Sequence, residues 1–122
     1  RRILAICGDA GFMMNVQEME TACRLNAKFV AMVWEDHSYG LIAWKQENEF
    51  GHHTDLSFNN PDWMMLAKAF GWNGHRVENS RDLLTTLETA FQEDGPTLVV
   101  VPIDYRENTL LTQRLGNIAC PI

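Results

Sequence analysis

Residues 3–38 read ILAICGDAGFMMNVQEMETACRLNAKFVAMVWEDHS, and the fold turns on how this stretch divides. Ile3 to Cys7 is a short continuous apolar run that stops at Gly8, the pattern of a strand buried on both faces of a parallel sheet. From Asn15 the period changes. Val16, Met19, Ala22 and Cys23 recur at helical spacing, while Gln17, Glu18, Glu20 and Arg24 fill the opposite face. Asn15 with Glu18 three residues on has the form of a capping box and marks the expected helix start. Phe29 to Trp34 is a second buried-type strand, ended by Glu35-Asp36-His37-Ser38. The stretch is therefore one strand–helix–strand unit.

The same alternation continues outward. Tyr39 to Glu47 is expected to be helical, and the polar, His- and Asn-rich run from Glu49 to Asn60 reads as a loop. Asn60-Pro61-Asp62 is a helix entry with Pro at the first helical position, followed by an apolar stripe of Trp63, Leu66, Ala67 and Phe70 that Gly71 closes. Gly74 to Glu78 is a short strand. Asn79 with Asp82 resembles a second capping box, ahead of a helix whose buried face is Leu83, Leu84, Leu87, Ala90 and Phe91. Gly95-Pro96 turns the chain into a last buried strand, Leu98 to Ile103. Residues 104–122 are mixed and read as a C-terminal arm. This order predicts an α/β fold, an open and mainly parallel sheet with helices on both faces.

Length and charge narrow the possibilities further. The chain has 122 residues, room for a single domain spanning 1–122, and 46% hydrophobic residues against 21% charged, which excludes disorder and coiled coil. Ten Lys and Arg against sixteen Asp and Glu leave little material for a nucleic-acid-binding face. Cys7, Cys23 and Cys120 are too few and odd in number for a disulfide framework, which points to a reducing compartment. No apolar run approaches the ~18 residues that cross a bilayer, so no membrane partner is expected. The chain opens on Arg1-Arg2 rather than Met and runs straight into a strand, and is read as a piece of something longer.

In open parallel sheets ligands bind outside the carboxyl ends of the strands. Two of the loops expected there begin with acids: Gly8-Asp9-Ala10-Gly11 and Glu35-Asp36-His37-Ser38. Asp9 and Asp36 stand one strand–helix–strand repeat apart, which lets them meet if the two strands are neighbours. Paired carboxylates beside small residues suit Mg²⁺, which completes its octahedron with phosphate and water oxygens. Ala10 and Gly11 would let a phosphate approach the backbone and the start of the next helix. On spacing alone, acids at strand ends are more often solvated turn residues or caps.

The stretches GDAGFMMNVQEMETACRL and VWEDHSYGLIAWKQ, with the tail PTLVVVPIDYRENTLLTQRLG, resemble the C-terminal diphosphate-binding domain of thiamine-diphosphate enzymes, and most closely the large catalytic subunit of acetolactate synthases. The resemblance runs over essentially the whole chain. It implies that thiamine diphosphate and Mg²⁺ are the cofactors. It places Asp9 and the Asp36 side chain on the metal, with the Ser38 backbone carbonyl as third protein ligand. It sets Gly8, Asp9, Ala10, Gly11, Tyr39 and Gly40 along the diphosphate, and Leu41 near the cofactor's reactive end. Relatives carry Asn-Asp or Asn-Asn where this chain has Glu35-Asp36. Glu35 either points away from the site or weakens diphosphate binding.

The implied reaction is decarboxylation of pyruvate and transfer of the two-carbon unit to a second 2-oxo acid, in the cytoplasm, as part of branched-chain amino acid synthesis. No catalytic acid or base falls on this chain. In the family the glutamate that activates the cofactor lies on another domain, usually of a neighbouring subunit. Relatives also carry helices and a strand ahead of Arg1, so the fold is expected to be incomplete at its N-terminus. Its implied partners are the remaining domains or subunits of the enzyme, in a homo-oligomer. Other readings are a different 2-oxo-acid decarboxylase or carboligase, or a non-catalytic module that keeps the fold.

Other chemistry-bearing residues read as structural. His52-His53-Thr54-Asp55 is a polar loop rather than a transition-metal site, and Cys7 an inert core thiol. Met13-Met14 and Trp63-Met64-Met65 read as core or interface filling, and Trp44-Lys45 as either channel-facing or surface packing.

Overall fold

The computed structural model describes residues 1–106. The chain runs β1 (Leu4–Gly8), α1 (Asp9–Met13), α2 (Glu18–Arg24), β2 (Val30–Glu35), α3 (Gly40–Phe50), α4 (Trp63–Phe70), β3 (Asn73–Arg76), a 3-10 turn (Ser80–Asp82), α5 (Leu83–Ala90) and β4 (Thr97–Pro102). The four strands form one sheet in the order β1-β2-β4-β3, every pair parallel. The expected α/β architecture with helices on both faces is the one observed.

Side-chain alternation along the two central strands builds two cores. Ala31 and Val33 of β2 with Leu98 and Val100 of β4 face Met19 and Ala22 of α2, Trp63 and Ala67 of α4, and Trp72. Val30 and Met32 with Val99 and Val101 face Val77 and Ala90, with Leu83, Leu87 and Phe91 of the α5 region packed around them. The period of two delivers alternate residues to opposite layers, which is why both central strands read as unbroken apolar runs.

The outer strand differs from the expectation. β1 lies at the sheet edge, and Ile3 and Ile6 are 56% and 53% exposed. Its apolar run is covered on one flank by β2 only, so this strand is not buried on both faces among the described residues. Leu84, placed by periodicity on the buried face of α5, is 68% exposed.

Helix starts differ as well. The chain enters α1 directly after Gly8, and Asn15 lies in the turn between α1 and α2. Asn15 contributes its backbone carbonyl, accepting the Glu18 N–H at 3.0 Å, and α2 has no side-chain cap. The predicted capping box there does not form. Pro61 precedes the helix rather than opening it. Asp62 is the cap of α4, its carboxylate accepting the N–H groups of Met64 at 3.0 Å and Met65 at 2.9 Å, a stronger claim on the position than a proline's preset φ. At Asn79 the side chain caps only the 3-10 turn through Arg81 N–H, and no reciprocal contact from Asp82 completes a box. Gly71 ends α4 as expected, at φ 77°, a left-handed conformation that glycine adopts without strain. Of the arm predicted over 104–122, residues 107–122 lie outside the described residues.

Candidate cofactor site at the carboxyl ends of the strands

Because all four strands are parallel, their carboxyl ends form one rim. The register pairs Gly8 with Trp34, and Glu35 with Pro102. β1 and β2 are direct neighbours, so the loop opened by Asp9 lies beside the loop Asp36-His37-Ser38. The juxtaposition required of the two acid loops is present.

Asp9 is 1% exposed although it carries a carboxyl group. Its Oδ1 accepts the Ala10 N–H at 2.8 Å. Its Oδ2 accepts the N–H of Asp36 at 3.2 Å, the N–H of His37 at 2.9 Å and the side-chain amide of Asn60 at 2.6 Å. Burial pushes its pKa up, but the Asn60 amide and the three backbone donors outweigh burial and hold it below the ordinary aspartate range. Asp36 shifts the other way. Burial, and then the Asp9 charge beside it, raise its pKa. Its Oδ1 is 3.4 Å from the Ser38 nitrogen.

Among the described residues no ion pair neutralises either acid. Two like charges held together without a counter-charge fit a cation. The donors are hard oxygens, the chemistry of Mg²⁺ rather than of a thiophilic metal. Among the described residues no group of three or more His, Cys, Asp and Glu could hold a metal. A cation here would need further oxygens, such as a backbone carbonyl and those of its own ligand.

The remaining predicted residues surround this pair. Gly8 and Gly11 have no strained φ, and among the described residues a Cβ at either would stand in open space. Ala10 turns its N–H onto Asp9. Ser38 bridges to Ser57 in antiparallel sense, and Tyr39 caps α3 with its ring centroid 5.1 Å from that of Phe58. At Gly40 a Cβ would come within 3.0 Å of Asp36 Oδ2, so glycine there leaves room for the acid. Leu41 is exposed on the first turn of α3.

Glu35 points away from the acid pair. It is 5% exposed, with Oε1 accepting the Trp63 indole N–H at 2.6 Å and Oε2 accepting Arg76 at 2.5 Å. Burial raises its pKa, while Arg76 and Trp63 outweigh that and hold it below the ordinary glutamate range. Of the two alternatives left open by the sequence, the first is the one observed.

Asn60 and Tyr105 were not singled out by sequence reasoning. Burial and then the charges of Asp36 and Asp9 raise the Tyr105 pKa. Tyr105 follows β4 at the same rim. Its strand-end position was the available signal; Asn60, 51 positions from Asp9, offered none. His53 Nδ1 lies 2.8 Å from the Thr54 carbonyl in an exposed loop, and burial raises the Cys7 thiol pKa, as expected of an inert thiol.

Comparison with known proteins places this arrangement. The family model "Thiamine pyrophosphate enzyme, C-terminal TPP binding domain" matches residues 1–101, a span that contains both acid loops. The chain is 36% identical over 115 residues to the catabolic acetolactate synthase of Raoultella terrigena, covering 94% of this chain and 21% of that protein. It is 35% identical over 107 residues to the acetolactate synthase of Bacillus subtilis strain 168, covering 88% and 19%. To the acetolactate synthase isozyme 2 large subunit of Escherichia coli K12 it is 36% identical over 109 residues, covering 87% and 20%. The chain thus spans about a fifth of the length of these relatives. A parallel sheet whose first two strands end in facing acids, matched along its described length, belongs to the family of C-terminal thiamine pyrophosphate binding domains of thiamine pyrophosphate enzymes.

Proposed function

We propose that residues 1–122 act as one domain that anchors the diphosphate of thiamine diphosphate through Mg²⁺, within an enzyme of the acetolactate synthase type. The observation that carries this reading is the pair of Asp9 and Asp36 on adjacent loops at the carboxyl rim, without a counter-charge among the described residues. Asp9, Asp36 and the Ser38 carbonyl would hold the cation. Gly8, Ala10, Gly11, Tyr39 and Gly40 would line the diphosphate, and Leu41 would stand toward the reactive end. The cofactor's thiazolium carbon supplies the carbon–carbon chemistry when bound.

This chain binds and orients. Asp9 is kept ionised by its N–H donors, and the glycines keep the backbone open to phosphate oxygens. The parent would convert pyruvate and a second 2-oxo acid in the cytoplasm, as a homo-oligomer whose other domains complete the site.

Calorimetric titration of the chain with thiamine diphosphate and Mg²⁺ tests the reading. Saturable binding is expected, weakened at least tenfold in Asp9→Ala and in Asp36→Ala. The same chain, given pyruvate, is expected to form no acetolactate. Absence of binding with the fold intact would favour a non-catalytic module.

A further inference from the structure

Asn60 stands in the loop between α3 and α4, far in sequence from the acid pair, yet its Nδ2 lies 2.6 Å from Asp9 Oδ2 and 3.3 Å from His37 Nδ1. Its Oδ1 is buried without a partner, alone in this among the side-chain oxygens and nitrogens of the described residues. Turning the amide over would set that oxygen 2.6 Å from a carboxylate oxygen, acceptor against acceptor. The fold thus leaves a buried oxygen unpaired to keep an N–H on Asp9.

The backbone N–H groups of Asp36 and His37 reach the same Asp9 oxygen. His37 does so from a left-handed backbone, φ 58°, which a residue with a Cβ seldom adopts. Three donors therefore hold Oδ2, while among the described residues Oδ1 accepts only the Ala10 N–H and keeps acceptor capacity to spare. A carboxylate held this way has one oxygen committed to the protein and the other available.

We propose that Asn60 is a positioning residue. It fixes the rotation of the Asp9 carboxylate, and with it the His37 turn, so that Oδ1 is the oxygen presented to a divalent cation. This rests on the cofactor reading above. Groups that hydrogen-bond a ligating carboxylate set its geometry, and their loss typically costs 10–100-fold in metal affinity.

The test is a Mn²⁺ titration of the full chain with thiamine diphosphate, read by electron paramagnetic resonance, alongside amide exchange by NMR. Asn60→Ala is expected to weaken Mn²⁺ binding about tenfold or more. It should also speed exchange at the His37 amide, leaving the core amides of Val33 and Val99 protected. In the unsubstituted chain the Asn60 side-chain amide protons are expected to shift on Mg²⁺ addition with the midpoint of cation binding, a measurement that needs no variant. Mn²⁺ binding within twofold of the parent in Asn60→Ala, or Asn60 amide protons that ignore Mg²⁺, would overturn this proposal and leave the cofactor reading standing. A parent chain that binds no Mn²⁺ would overturn both.

Discussion

Glu35 shows what burial does to a charge that is paired. Its carboxylate lies in the core beside Trp63, and Arg76 supplies the counter-charge from a side chain about one-third exposed. Removing the cation strands a buried anion, so Arg76→Ala is expected to cost about 3 kcal/mol, measured by urea unfolding. The pH dependence follows from the direction of the shift. The folded-state pKa of Glu35 is below its ordinary 4.5, so its stabilisation is full above that value and is lost as pH falls through the folded value. The stability gap between the parent and Glu35→Gln should therefore narrow as unfolding is repeated below pH 4.5. Gly40 carries a different constraint. A methyl group there meets Asp36 Oδ2 at 3.0 Å, so Gly40→Ala is expected to weaken Mg²⁺ binding several-fold with little change in melting temperature. Their strand-end positions made Asp9 and Asp36 candidates, and the family resemblance rather than spacing singled them out. The sequence left Glu35 ambiguous because its partner, Arg76, comes from a strand two places away in the sheet.

The elements whose periodicity is strongest were legible, and their boundaries were less so. β2 and β4 declare themselves because burial on both faces leaves Val30 to Trp34 and Leu98 to Val101 without a polar position. β1 carries the same pattern without the same burial, since an apolar run records what a strand can contact and not where it stands in the sheet. Caps were the least legible feature: α2 starts without any side-chain cap, and Asn79 caps only a 3-10 turn. At α4 the cap is Asp62, and Asp62→Ala is expected to lower stability by about 1 kcal/mol in thermal unfolding. α3 was predicted as a helix and is one, but it buries no side chain. Helical spacing alone gave no sign of that.

At the scale of the molecule, the parallel register gathers Asp9 and Asp36 at one rim and, among the described residues, leaves an apolar edge at β1. Ile3, Leu4 and Ile6 line that edge, and unpaired strand edges of this kind associate. Concentration-dependent self-association is expected by light scattering, and Ile3→Lys with Ile6→Lys should return the chain to a monomer. Among the described residues no helix is long and apolar enough to cross a membrane. One feature of the core has an optical consequence. The Trp63 indole donates to Glu35, whose neighbour Asp36 carries one of the paired carboxylates, while Trp72 is fixed to the Met19 carbonyl on a distant element. With Trp34 and Trp44 replaced by Phe, emission is therefore expected to change through Trp63 when Mg²⁺ and thiamine diphosphate are added, and Trp72, anchored elsewhere, to serve as the internal standard.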